Sequence, residues 1–117
     1  MTGAGTSDTA AMRTRLLELM SKFVTRTIED LAQMREALAR LDAGNGTAHP
    51  DALELIHQLA HRACGTGGTL GLCALSDAAG ALERTIEACS ANAARDAAVC
   101  AEIAARIEAM AAQLPPD

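Results

Sequence analysis

Apolar residues recur along most of this chain at alternating steps of three and four, the spacing of one helix face rather than of a strand. Met20, Val24, Thr27, Leu31, Met34, Leu38 and Leu41 form the first such stripe, widened by Leu16, Phe23 and Ile28. It predicts one long helix from about Met12 to Leu41. A break near Ser21 would make its first part a short N-terminal lid helix lying across the others. Asp42-Ala43-Gly44-Asn45-Gly46-Thr47 supplies turn residues that stop the pattern.

Pro50 suits the first turn of a second helix, where its missing N–H costs nothing, and Asp51 and Glu54 suit that positive end. This helix runs from about Pro50 to Thr69, with Ile56, Leu59, Ala63 and Leu70 on one side, until Gly71 breaks the pattern. A third, from about Leu72 to Cys89, carries Leu75, Ala78, Ala79, Leu82, Ile86 and Cys89. Asn92 is placed to cap the last helix, with Asp96 in its first turn. Cys100, Ile103, Ile107, Met110 and Leu114 form its stripe, and Pro115-Pro116 ends it. Short connections between long amphipathic helices make neighbours antiparallel. The expected fold is all-α, an up-down antiparallel four-helix bundle over residues 11–117, preceded by a small, polar, disordered tail over residues 1–10.

With 117 residues the chain can bury one modest core. Half of the residues are hydrophobic, with one phenylalanine and no tyrosine or tryptophan, a composition for close-packed helices. A net charge of −5 with the single lysine Lys22 argues against nucleic acid. No apolar run approaches the ~20 residues of a membrane span, and the N-terminus lacks the basic start and apolar stretch of a signal peptide, so a cytoplasmic protein is expected. Cys64, Cys73, Cys89 and Cys100 include no Cys-x-x-Cys pair, which gives no sign of zinc or redox chemistry. Cys89 and Cys100 read as small core hydrophobes.

The candidate chemistry centres on His61. At 100° per residue it points away from the apolar face of its helix, and its own side carries Glu54, His57, Cys64, Gly65 and Gly68. Glycine inside a helix costs ~1 kcal/mol relative to alanine, so two of them beside one imidazole imply access for another macromolecule.

The string Ala60-His61-Arg62-Ala63-Cys64-Gly65-Thr66-Gly67-Gly68-Thr69-Leu70-Gly71, with the leucine/alanine helix ending at Leu82-Glu83, resembles the signature of histidine-containing phosphotransfer (HPt) domains. There an alanine-histidine pair precedes a lysine or small residue three positions on, then glycine and small residues. Many members carry lysine where this chain has Cys64.

The resemblance implies that His61 is the phospho-accepting residue. Its Nε2 takes a phosphoryl group from the phospho-aspartate of a receiver domain and passes it to another receiver in a multistep phosphorelay. The implied partners are response-regulator receiver domains or a hybrid histidine kinase. No cofactor of its own is implied; Mg²⁺ comes from the partner receiver. Imidazole, with an ordinary pKa of ~6.5, is a nucleophile near neutral pH, and exposure without a carboxylate partner leaves most molecules reactive. Glu54, His57, Gln58, Arg62, Cys64, Gly65 and Gly68 are the residues expected to rim the contact. Gly65-Thr66-Gly67-Gly68 has no lysine-serine/threonine pair and follows a helix, so it is not a nucleotide loop, and a phosphocarrier rather than an ATP-using enzyme is expected.

Rival readings are a helical adaptor that binds a receiver or kinase without carrying phosphate, and a detached phosphotransfer domain of a chemotaxis-type kinase. A zinc site on His57 and His61 would need Glu54 or Cys64 to complete it, and no metal is expected. Met1 at the start and Pro115-Pro116-Asp117 at the end fit an independent protein, and a monomer is expected.

Overall fold

A computed structural model describes residues 3–42, 49–89 and 97–115. Four helices account for nearly all of them: α1 (Gly3–Asp42), α2 (His49–Thr69), α3 (Cys73–Glu87) and α4 (Ala97–Ala112). They pack in a ring in which α2 touches α1 and α3, and α4 touches α3 and α1. Contacts between α2 and α3 pair His57 with Glu87, His61 with Glu83 and Cys64 with Gly80. Each step forward on one helix is matched by a step back on the other, so the pair is antiparallel. The expected all-α bundle is the observed one.

The core follows the sequence stripes closely. Leu31, Met34 and Leu41 of α1, Ile56, Leu59 and Ala63 of α2, Leu75, Ala79, Leu82 and Ile86 of α3, and Cys100, Ile103, Ile107 and Met110 of α4 are all buried. Two polar residues of α1 are buried with them, Thr27 and Asp30. The Thr27 hydroxyl donates to the Phe23 carbonyl at 2.8 Å, so its burial leaves no polar group unpaired. Leu16 and Ile28, expected to widen the α1 stripe, are instead 47% and 53% exposed. They lie off its centre line, where no neighbouring helix reaches.

No separate lid exists. α1 is one helix of 40 residues that passes through Ser21 unbroken, because no glycine or proline lies between Thr6 and Asp42 to end it. It also begins at Gly3, inside the stretch expected to be a disordered tail, since extending a nucleated helix costs far less than starting one. At 1.5 Å per residue α1 is about 60 Å long. It sets the long axis of a molecule measuring 66 × 21 × 20 Å. Residues 8–19 are exposed throughout and overhang the bundle. The radius of gyration, 17.6 Å, accordingly exceeds the roughly 13 Å of a compact chain of this length.

Pro50 is the second residue of α2 and Asp51 lies in its first turn, as expected. At the other end Gly71 adopts φ +79°. The Leu72 N–H donates to the Gly67 carbonyl at 2.8 Å and the Gly71 N–H to the Gly68 carbonyl at 3.2 Å, the paired bonds of a Schellman cap. The chain reverses here and α3 starts at Cys73. The cap predicted at Asn92, with Asp96, lies outside the described residues; the helix itself is described from Ala97.

Across the ring, Arg35 of α1 grips Glu108 of α4 with two bonds of 2.8 Å. This pairing raises the Arg35 pKa and lowers that of Glu108.

Two stability measurements follow. Gly71→Ala forces a Cβ into the left-handed region and should cost about 1–2 kcal/mol in chemical denaturation. For Glu108→Gln, the carboxylate pKa is depressed in the folded state, so the ion pair contributes above the ordinary carboxylate pKa and fades as pH falls through the lowered one. Its loss should cost no more than about 1 kcal/mol at neutral pH, the pair being exposed, and the gap to wild type should close in acid.

Candidate functional site on the α2–α3 face

His61 stands on the outer surface of α2 with its side chain 74% exposed. It is not without a carboxylate partner, contrary to the sequence expectation. Its Nδ1 lies 2.5 Å from Oε2 of Glu83 on α3, and Glu83 is itself largely buried, its side chain 17% exposed. An ionised carboxylate only accepts hydrogen bonds, so Nδ1 carries the proton and donates. In the neutral ring the lone pair then sits on Nε2, which meets no hydrogen-bonding group among the described residues. A shared proton fixes the tautomer and the ring plane together.

His57, one turn earlier on α2, stacks on His61 with ring centroids 6.5 Å apart and planes 12° from parallel. Its Nε2 lies 3.8 Å from Glu83 Oε2 and 3.4 Å from Glu87 Oε2. Glu83 therefore faces both histidines. One donor atom each from His57, Glu83 and Glu87 lies within 4.8 Å of the others, close enough to hold a metal ion. That set differs from the Glu54 or Cys64 completion considered from sequence.

The remaining rim candidates divide. Glu54 and Gln58 are exposed and bond to each other at 3.3 Å, along the helix from the histidines. Gly65 is exposed, and a Cβ built on it would meet nothing within 4 Å, so the space beyond His61 is open. Gly68 is different: a Cβ there would stand 3.3 Å from the Ser76 hydroxyl of α3, which makes it a close-packing position. Gly67 is buried against the same stretch of α3. Cys64 is half-buried and turned into the α2–α3 seam, 3.7 Å from Ser76 Oγ, so it does not stand on the open surface as a lysine there would need to. The Ser76 hydroxyl donates to the Cys64 carbonyl at 2.7 Å.

Arg62 turns the other way, towards α1. Its guanidinium donates to both oxygens of Asp30 at 2.9 Å. Asp30 is buried and Arg62 half-exposed, so the arginine holds a core-edge carboxylate before it can serve any partner. An open groove of about 740 Å³ between α1 and α2 is lined by Arg62 with Lys22, Arg26 and Leu59, and does not include His61. Gly65-Thr66-Gly67-Gly68 is helical, and so offers no loop of backbone N–H groups for a nucleotide phosphate. Cys89 donates to the Thr85 carbonyl, and burial followed by the nearby Glu102 pushes its thiol pKa up, consistent with a packing role.

The family model for the Hpt domain matches residues 18–115 of this chain. The chain belongs to the Hpt family. No curated protein and no solved structure gave a match. Hpt domains are helical bundles that carry phosphoryl groups on histidine in two-component phosphorelays and interact with receiver domains and kinases. The matched span opens at Glu18, close to where α1 enters the bundle, and leaves the exposed stretch before it outside the domain.

Glu83, Glu87, Asp30 and Ser76 were missed from sequence because only the helix bearing His61 was weighed. A signal existed. Reflecting α2 onto α3 through the turn at Leu72 places Glu83 opposite His61 and Glu87 opposite His57, each pair equidistant from that residue.

Arg62 provides the test of these two faces. Arg62→Ala leaves Asp30 buried and unpaired, and should cost about 1–3 kcal/mol in denaturant unfolding. A value near zero would show that water reaches the Asp30 carboxylate in the native bundle.

Proposed function

We propose that His61 Nε2 is the phosphoryl acceptor of this Hpt domain. The observation that carries the reading is the geometry of one ring: exposed, held at Nδ1 by Glu83, with nothing among the described residues bonded to Nε2 and open space beyond Gly65. In the forward step the Nε2 lone pair attacks phosphorus of a receiver's aspartyl phosphate. The N–P bond forms as the O–P bond breaks, and the aspartate carboxylate leaves. The ring becomes a phospho-imidazolium with its proton still on Nδ1, and the Glu83 carboxylate at 2.5 Å stabilises that charge. The receiver contributes Mg²⁺ and a lysine to neutralise the phosphoryl oxygens, so the acceptor's task is mainly alignment. Transfer to a second receiver is the same step reversed.

The proposed setting is a monomeric, stand-alone carrier in the cytoplasm, passing phosphate between a hybrid kinase or receiver and a response regulator. It uses no nucleotide of its own. Among the described residues no helix is long and apolar enough to cross a membrane, which is compatible with that setting.

Incubation with phosphorylated receiver domains, followed by detection of acid-labile, alkali-stable label, tests the reading. His61→Gln should take up no label with helicity and melting temperature nearly unchanged, while His57→Gln still does. Glu83→Gln should slow transfer by about tenfold or more, because it removes the charge that orients and stabilises the imidazole. Gly65→Leu should stay folded and yet block the encounter. Receiver binding without any label on the wild-type protein would instead support an adaptor, and label surviving in His61→Gln would sink the assignment.

A further inference from the structure

The two carboxylates beneath the histidines form ion pairs with histidines alone among the described residues; no lysine or arginine neutralises either of them. Two acidic groups beside imidazole nitrogens make a negatively charged cluster with both oxygen and nitrogen donors. Such a mixed set suits zinc and similar borderline divalent cations better than the all-oxygen sites of calcium or magnesium.

Distances carry the argument further. Zinc bound tetrahedrally at 2.0–2.2 Å holds its donor atoms about 3.3–3.6 Å apart. His57 Nε2 already stands 3.4 Å from Glu87 Oε2 and 3.8 Å from Glu83 Oε2. These donors come from successive turns of two helices, His57 on α2 and Glu83 with Glu87 four apart on α3, so the backbone preorganises them. Small side-chain rotations complete three protein ligands.

We propose that His57, Glu83 and Glu87 form a binding site for a divalent cation of the zinc class, and that filling it silences His61. The second half rests on the function proposed above. Glu83 Oε2 is the atom that accepts the proton of His61 Nδ1. A cation on that oxygen competes for the lone pair that accepts the proton, and His61 Nδ1, which lies beside the same oxygen though outside the three-residue set, becomes a fourth donor when the ring proton moves to Nε2. Metal on Nδ1 leaves the ring proton on Nε2, the nitrogen that must carry the lone pair to accept phosphate. The same cation therefore competes with phosphorylation without touching a phosphoryl group.

Zn²⁺ itself is the probe. Calorimetric titration of the wild-type protein should show one site per chain and a melting temperature that rises with Zn²⁺, because the ion binds the folded form. His57→Gln and Glu87→Gln should each weaken binding by about tenfold or more, while Cys73→Ser, which removes an exposed thiol, should bind as wild type does. Phosphoramidate, a small donor that labels histidine without a receiver or its Mg²⁺, then reads the coupling. Zn²⁺ should slow labelling of the wild-type protein and slow it much less in Glu87→Gln. No binding by a folded wild-type protein, or binding lost in Cys73→Ser and kept in His57→Gln, overturns the site. Tight binding with labelling unaffected overturns the coupling. Calorimetry needs no phosphorylation, so failure of His61 to accept phosphate is distinguished from failure of the metal site.

Discussion

The register between α2 and α3 is the constraint on which the remaining features depend. The Schellman cap at Gly71 turns the chain so that α3 runs back along α2, and the hairpin then has only one phase that buries Leu75, Ala79, Leu82 and Ile86. Gly67 and Gly68 on one helix and Gly80 on the other leave room for Ser76 and Cys64 between them, which lets the backbones approach. Ser76 closes the seam by bonding a carbonyl of α2. Once that phase is set, Glu83 lies beside His61 and Glu87 beside His57. No further interaction is needed to place them.

This arrangement assigns each side of α2 a different task. Arg62 reaches α1 and neutralises Asp30, which ties the helix to the bundle; His61, the next residue back, reaches α3 and faces water. His61 thus stands exposed on a helix that Arg62 anchors to α1. The glycines share in the same division. Gly65 borders open space beside His61, whereas Gly67 and Gly68 are small because α3 is close.

α1 shows the opposite circumstance, a helix longer than its packing. Its stripe from Thr27 to Leu41 is matched by neighbours, but among the described residues the stretch through Met12 and Leu17 has none, and those side chains are 73% and 60% exposed. Helix continues there because no breaker interrupts it. Packing is not what sustains it.

Four helices, their apolar faces and the exposure of His61 are legible along the chain, because a stripe of period 3.6 and a glycine at a chain reversal are local properties. Leu31, Met34, Ile56, Leu82, Ile103 and Ile107 sit in the core where their spacing put them. His61 stands out as the candidate acceptor from the glycines that follow it and the family pattern they form. The company each side chain keeps is set by packing between helices. Cys64 shares a helix face with His61 on paper but turns into the α3 seam, and Gly68 borders Ser76 of α3; Arg62, adjacent to His61, is committed to α1. Glu83, 22 residues from His61, emerges as a partner only when the two helices are paired through the turn between them. A helical wheel describes one cylinder, and the proton on His61 Nδ1 is set by a carboxylate on another, brought there by the turn and by the packing that fixes its phase.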